Sequence, residues 1–267
     1  MIIDFHTHGF PQKIAAPALE KLSYASGGLI PQTEGTIPSL KERLRQDGVD
    51  LAVVLSIATN PTQQSKVNDF AIKVNQEPEL LAFGSVHPDA PDALQELERL
   101  AAAGIKGVKF HPEYQGFYAD EERMKPLYRK ISQLGLITLF HAGLDIGFPP
   151  PYHAMPRHLL GALRWLDTPV VAAHWGGMGC SEEVIEKLCG QELYFDLSFG
   201  YGVIPKKLAQ TIVDRHTPDK LLFGSDLPWH RPAWEQRLLN TLDLSQEDKE
   251  KIYHKNAENL LNLPTAR

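Results

Sequence analysis

Short apolar runs recur along the chain, and more polar segments separate them. Eight of the runs are nearly continuous in apolar character, which is typical of parallel strands that are buried on both faces. The predicted strands are Met1–Phe5, Leu51–Ile57, Leu80–Val86, Ile105–Phe110, Leu136–Phe140, Val170–Ala173, Leu193–Leu197 and Leu221–Phe223.

The segments between these runs show helical periodicity. In Asp120–Gly135, the apolar residues Met124, Leu127 and Ile131 form one stripe, and Gly135 is a helix stop. The segment Pro91–Gly104 carries a second apolar stripe. Weaker helices are predicted at Ser39–Gln46, Gln63–Gln76, Arg157–Trp165, Glu182–Leu188, Lys206–Val213 and Pro232–Asn240.

Strand and helix alternate every ~28 residues, the period of a βα unit, and eight such units close into a (β/α)8 TIM barrel. We therefore predict one α/β barrel domain over residues 1–267. Phe10–Pro38 is rich in Gly, Pro and Ala and is predicted to be an irregular insertion after the first strand. Gly143–Pro156 is predicted to be a stiff, proline-rich loop, and Asn256–Pro264 a closing helix capped by Asn256.

Composition narrows the class of protein. The chain has 267 residues, of which 43% are hydrophobic and 22% charged, as in a globular protein. A net charge of −6 disfavours a nucleic-acid partner, because phosphate backbones require a basic surface. No apolar run is long enough to span a membrane, and the first residues do not resemble a signal peptide. We expect a cytoplasmic protein, and self-association stays open.

Seven polar side chains lie at or just after the ends of predicted strands. They are His6, His8, Lys109, His111, His141, His174 and Asp226. The first two are two residues apart, as are the next two, so each pair faces one side of its strand. Since the carboxyl ends of the strands carry the active site in parallel barrels, these side chains are expected to converge on one rim.

Imidazole and carboxylate groups together suit a divalent metal ion. Taken singly, each residue has a structural interpretation, such as a hydrogen-bonded buried histidine or a helix-capping aspartate. Taken in order at successive strand ends, they indicate a metal site. Zinc is the expected ion, with manganese or iron as alternatives. A catalytic metal would keep one position open for water.

The ordered motifs resemble the amidohydrolase superfamily. The strings IDFHTH, GVKFHP, FHAG, AHWGG and FGSDLPW are similar to its branch related to aminocarboxymuconate semialdehyde decarboxylase, which holds both hydrolases and decarboxylases. The resemblance implies that His6, His8, His141 and Asp226 bind one metal ion. It also implies that Asp226 carries protons, and that His174 holds water or substrate.

Lys109 has two interpretations. In binuclear members of the superfamily, a lysine at this place is carboxylated and bridges two metals. Alternatively, Lys109 stays cationic and binds a substrate carboxylate, which we favour together with one metal ion. His111 and Arg231 are further candidates for binding substrate, since an arginine can hold a carboxylate with two hydrogen bonds. Asp4 is a candidate to support the metal site.

The first functional hypothesis is a metal-dependent hydrolase of a small amide, ester or lactone. A metal-activated water would attack the carbonyl carbon, and Asp226 would pass the proton to the leaving group. The second is non-oxidative decarboxylation of a small unsaturated or aromatic acid, with Lys109 or Arg231 holding the carboxylate. The third is a non-catalytic barrel that binds a ligand. In each case the partner is a small molecule, and for the enzymes we expect one bearing a carboxylate.

Overall fold

The computed structural model describes residues 1–263, and all eight predicted strands occur in it, with bounds that differ from the prediction by a few residues. The strands are β1 Ile3–Thr7, β2 Leu51–Leu55, β3 Leu80–Phe83, β4 Gly107–Phe110, β5 Ile137–Phe140, β6 Val170–Ala172, β7 Tyr194–Asp196 and β8 Leu221–Leu222. The strand prediction is therefore confirmed.

The strands pair in sequence order and all pairs are parallel. They form a three-stranded sheet, β1-β2-β3, and a five-stranded sheet, β4 to β8. Backbone hydrogen bonds cross both seams: the Lys109 amide donates to the Gly84 carbonyl, and the Phe5 amide donates to the Phe223 carbonyl, both at 2.8 Å. The eight strands thus follow one another around a barrel.

Twelve helices alternate with or follow the strands in the described residues. They are α1 Ala15–Ala25, α2 Ile37–Gln46, α3 Gln64–Val74, α4 Ala93–Ala102, α5 Pro112–Gln115, α6 Lys125–Gln133, α7 Pro156–Leu163, α8 Ser181–Lys187, α9 Lys206–His216, α10 Pro232–Asn240, α11 Gln246–Glu250 and α12 Asn256–Leu260. The βα alternation is that of the predicted (β/α)8 barrel. No helix of this part of the chain is both long and apolar enough to cross a membrane.

The core has two layers. One cluster joins the outer faces of the strands to the helices, and includes Phe110, Phe140 and Tyr128. A second cluster consists mainly of strand residues and fills the space that the strands enclose, with Phe83 and Leu139 among them. Side-chain alternation along the strands therefore separates the two layers.

The insertion after β1 contains a helix, which corrects the prediction that Phe10–Pro38 is irregular throughout. Within it, α1 runs for 11 residues and buries Ala15 and Leu19. These two residues are four apart, one helical turn, but the surrounding Gly, Pro and Ala residues hide the period. Pro17 lies in the first turn, where a helix tolerates proline.

The C-terminal region also differs from its prediction. Helices α11 and α12 are joined by a π-helical turn over Lys251–Lys255, so Asn256 lies inside a longer helical segment and does not cap one. Its side-chain amide instead donates to the carbonyls of Pro218 and Leu221, both at 2.7 Å. The expected helix stop at Pro264 lies outside the described residues.

Candidate metal centre

The structure brings the seven strand-end side chains to one cavity of about 770 Å³. All seven of these side chains are part of its lining: His6, His8, Lys109, His111, His141, His174 and Asp226. Each lies at the carboxyl end of its strand or in the first residues after it. The predicted convergence on one rim is therefore what the structure shows.

His6, His8 and Asp226 form the tightest group. The Nε2 atoms of His6 and His8 lie 3.2 Å apart, and Asp226 Oδ1 lies 3.3 Å from the first and 3.1 Å from the second. The group comprises two ring nitrogens and one carboxylate oxygen, a donor set typical of zinc and related ions.

The other ring nitrogens determine which atom of each ring carries its proton. His6 Nδ1 lies 2.8 Å from Asp196 Oδ2, and His8 Nδ1 lies 3.0 Å from the Leu55 carbonyl. Both partners accept hydrogen bonds and cannot donate them, so each ring in its neutral form carries its proton on Nδ1. Both Nε2 lone pairs then face each other and a carboxylate. A cation between them would satisfy all three acceptors. The Nδ1 atoms of both rings donate to a carboxylate or a carbonyl, as the second ring nitrogen of a metal-bound histidine usually does.

A second pair of ring nitrogens, from His174 and His141, also consists of two unprotonated atoms that face each other. His174 Nε2 lies 3.1 Å from His141 Nδ1. His141 Nε2 donates to the Leu144 carbonyl at 3.1 Å, so its Nδ1 is the unprotonated atom. Ser198 Oγ donates to Asp196 and therefore accepts from His174 Nδ1, at 2.9 Å. The His174 ring is centred 4.9 Å from those of both His6 and His141, so the two pairs adjoin.

His111, His141 and Asp145 form a further cluster of possible ligands, but its hydrogens are already placed. His111 Nδ1 accepts from the Tyr114 amide, so its Nε2–H points to Asp145 Oδ2 at 3.3 Å. The His111 and His141 rings stack 4.2 Å apart at 12°. Unlike the group of His6, His8 and Asp226, this cluster has a hydrogen between its ring nitrogen and its carboxylate oxygen. It therefore does not require a cation.

Two residues that sequence reasoning missed orient the centre. Asp196 and Ser198 are fully buried at the end of β7. Besides binding His6 and Ser198, Asp196 Oδ1 accepts from the backbone amide of His174 at 3.1 Å. Their two-residue spacing at a strand end is the signal that also marks the His6 and Lys109 pairs, and it could have identified them.

Burial controls the electrostatics of the cluster. It is the largest cause that holds the pKa values of His6, His141 and His174 well below the usual 6.5, and positive charge on neighbouring groups adds to it. The rings are therefore neutral and their lone pairs available. Burial is the largest cause that raises the pKa of Asp226, and the nearby charge of Lys109 acts in the opposite direction.

Lys109 lies in β4 on the side of the strand that faces the inner cluster, because it pairs in register with Leu139. Its side chain is 1% exposed, and its Nζ has no hydrogen-bond partner among the described residues. Burial lowers its pKa to about 8, although Asp196 and Asp226 counteract this. Such an amine suits an anionic ligand.

The backbone is strained at the same rim. His174, Trp175, Phe199 and Asp226 have positive φ angles of 57°, 60°, 57° and 69°, in the left-handed region that non-glycine residues rarely adopt. Each such residue costs about 1–3 kcal/mol and persists only where the surroundings enforce it. Thr217 and Asn262 also have positive φ angles, so four of the six such residues in the described part of the chain lie at this rim, and two of these four are candidate site residues.

Arg231 does not join the cluster. It precedes α10, and its guanidinium binds Asp47 through two nitrogens, at 2.6 and 3.2 Å. It does not line the cavity that the described residues form around the histidines. Asp4 is buried nearby but contacts Ser225 and the backbone amide of His6 and no imidazole. The register of β1 shifts between Asp4 and Thr7, which interrupts the alternation assumed for Asp4 and His6.

The sequence matches the model of the Amidohydrolase family (Amidohydro_2) over residues 3–263. The chain belongs to this family. The superfamily resemblance inferred from the motifs is thus confirmed, and the chain is an amidohydrolase-family protein with candidate metal-binding residues. No curated protein matches it.

Solved structures share the fold. An uncharacterised TIM-barrel protein from Bordetella bronchiseptica has 19% identity and a TM-score of 0.77, over 98% of each chain. A protein described as amidohydrolase II has 20% identity and a TM-score of 0.73, over 98% of this chain and 100% of that one. A dihydroxybenzoic acid decarboxylase from Polaromonas sp. JS666, with bound manganese and 2-nitroresorcinol, has 15% identity and a TM-score of 0.70, over 99% and 98%. These likenesses show the barrel fold, and the proteins that share it include one described as an amidohydrolase and one described as a decarboxylase.

Proposed function

We propose that this amidohydrolase-family protein is a metal-dependent hydrolase of a small amide, ester or lactone. The observation that carries the proposal is the group of His6, His8 and Asp226, in which three unprotonated acceptors meet within 3.3 Å. A divalent ion placed between the three atoms would be bound by all of them. Zinc suits nitrogen and oxygen donors, and manganese and iron are alternatives.

We assign one ion to these three residues, with His141 as the fourth ligand that the family resemblance implies. His141 adjoins the group through His174 and has an unprotonated Nδ1. When bound, a divalent ion would polarise a carbonyl oxygen and lower the pKa of a water molecule.

The side chains divide the remaining chemistry. The carboxylate of Asp226 takes a proton from the attacking water and returns it to the leaving group. His174, whose orientation is set by Ser198, holds the water or the substrate oxygen. Lys109 binds a carboxylate on the substrate from the neighbouring wall, and His111 lines the same wall with its Nε2–H directed at Asp145. Arg231 has no part in this scheme, because Asp47 already binds its guanidinium.

The second candidate function is non-oxidative decarboxylation of an unsaturated or aromatic acid, in which Asp226 or water protonates the carbon that loses carbon dioxide. Lys109 favours it, because a buried ammonium whose Nζ has no hydrogen-bond partner within residues 1–263 is a ready site for a carboxylate. A decarboxylase among the structures of the same fold is consistent with it.

The test combines metal content with product analysis. The purified 267-residue protein, loaded with zinc or manganese, is assayed on lactones, esters and amides by acid release. It is assayed on hydroxybenzoic acids by release of carbon dioxide. Hydrolysis that is lost in the double variant His6→Ala, His8→Ala supports the first function, and carbon dioxide release alone supports the second. A protein that binds no divalent ion refutes both.

A further inference from the structure

The cavity extends far beyond the metal centre. Its inner end holds the histidines, Lys109 and Asp226, and its outer part is lined by apolar side chains from α1 and α3. We call this outer part the outer chamber and define it by Ile14, Ala18, Leu22, Val67 and Phe70. These five side chains are partly or largely exposed.

Helix α1 has two apolar faces. Ala15 and Leu19 are buried against the protein. Ala18 and Leu22 form a second face of the helix, adjacent to the first. Ile14, the residue that precedes α1, continues this face at the same four-residue spacing, and all three side chains line the outer chamber. Ile14 is 50% exposed. A surface helix normally needs only one apolar face, so the second implies that something apolar covers it.

The size of the cavity points to a substrate larger than a single ring. A cavity of about 150 Å³ is enough to bind benzene. The present cavity, at about 770 Å³, is about five times larger. A ring held at the metal centre would therefore leave the outer chamber unfilled.

The charges of the outer chamber favour anions. Lys21 on α1 and Lys66 on α3 line it, and neither has an acidic partner within 4 Å among the described residues. The acidic side chains that line the cavity, Asp145 and Asp226, lie at the inner end. In a chain with a net charge of −6, two unpaired lysines at this mouth attract a negatively charged ligand.

We propose that the substrate is an amphipathic acid or acyl compound whose apolar body, larger than one ring, occupies the outer chamber while its carbonyl or carboxylate lies at the metal centre. The proposal rests on the function proposed above for the inner end. It makes α1 and α3 determinants of specificity and identifies the insertion after β1 as the wall that selects the apolar body.

The test uses linear saturated carboxylates as probes. Butanoate, hexanoate and octanoate are titrated by calorimetry into the metal-loaded 267-residue protein. Each buried methylene contributes about fourfold in affinity, so octanoate should bind about 200-fold more tightly than butanoate. In Ala18→Trp, an indole fills the outer chamber, and the two acids should bind with nearly equal Kd. Ala16→Trp is the matched control, because Ala16 lies on the same helix but outside the lining.

Leu22→Asn provides a second variant if Ala18→Trp does not fold. It puts an amide on the chamber wall, and the gain from butanoate to octanoate should shrink at least severalfold. Equal Kd values for butanoate and octanoate in the parent protein overturn the inference, and so does an Ala18→Trp variant that behaves like Ala16→Trp. Metal content is measured separately. If the protein binds metal but Kd does not change with chain length, only the proposal for the outer chamber is rejected. If Kd falls with chain length in a protein that binds no metal, only the metal centre is rejected.

Discussion

Replacing Asp196 by asparagine should weaken metal binding even though Asp196 is not assigned as a ligand. In the native protein its Oδ2 accepts the proton on His6 Nδ1 at 2.8 Å. In Asp196→Asn, Oδ1 can still accept from Ser198 and the His174 amide. The new NH₂ group then faces the Nδ1–H of His6, and two donors oppose each other.

The His6 ring resolves this conflict by moving its proton to Nε2, which is the atom that faces His8 and Asp226. A protonated Nε2 cannot bind a metal ion. Reversing the tautomer forfeits a charge-assisted hydrogen bond of about 1.5–3 kcal/mol. This corresponds to about 10–100-fold in metal affinity, the range found when partners of metal-bound histidines are removed.

The assay is competition between the protein and a coloured chelator for zinc, which gives Kd for the parent and the variants. Asp4→Asn is the matched control. Asp4 is also a fully buried carboxyl near the strand ends, but it contacts no imidazole. Burial raises its pKa to about 8, so the neutral amide resembles the form present at neutral pH. Asp4→Asn should bind zinc like the parent.

A Kd in Asp196→Asn within about twofold of the parent, in a variant with native circular dichroism, would refute the tautomer argument. It would show that the proton position on His6 does not decide metal binding. An equal loss in Asp4→Asn would point to a general effect of removing buried carboxylates.

The remaining predictions concern the ligands, the proton carrier, Lys109 and acid stability. Replacing His6 and His8 together by alanine should abolish tight zinc binding, and unchanged stoichiometry in elemental analysis would contradict the ligand assignment. Asp226→Asn should keep the fold but lower turnover by about 100-fold or more, since general acid–base groups contribute about 10²–10⁴; a near-normal rate with full metal would exclude it as proton carrier. Lys109→Met should weaken substrate binding strongly and leave the metal content near one ion per chain, whereas a fall in metal content from two ions to one would favour a carboxylated, bridging lysine. Burial lowers the pKa of His216 from 6.5 to about 4, so its stabilisation is complete above about pH 6.5 and is lost as the pH falls towards 4. Urea unfolding should show about 2 kcal/mol of loss between about pH 7.5 and 5 from this residue, and an identical pH dependence in His216→Phe would contradict the assignment.

The barrel could be predicted because its signals are local. Each buried strand is an apolar run of a few residues, and the βα period repeats along the chain. The same locality places His6 and Lys109 at strand ends, and hence in one cavity. Helix α1 was missed because its apolar residues serve two faces, one against the protein and one along the cavity, and no single helical stripe stands out.

Partners that are distant in sequence could not be predicted. Arg231 was a reasonable candidate to bind a substrate carboxylate, but its guanidinium already forms an ion pair with Asp47, 184 residues away in sequence. Nothing near either residue indicates this pairing. Asp196 carries the two-residue spacing with Ser198, yet without imidazole neighbours in sequence it resembles an ordinary polar residue at the end of a strand.

The proton positions depend on the same distant contacts, and they are what turns a group of histidines into a cation site. The sequence predicts that His6 and His8 lie side by side, but either ring nitrogen of each could face the cavity. That choice is made by Asp196, 190 residues from His6, and by the Leu55 carbonyl, 47 residues from His8. Each of these acceptors draws a proton to Nδ1 and leaves a lone pair on Nε2. The residues of the centre can therefore be read from the motifs, whereas its preference for a cation follows from hydrogen bonds that only the closed barrel brings together.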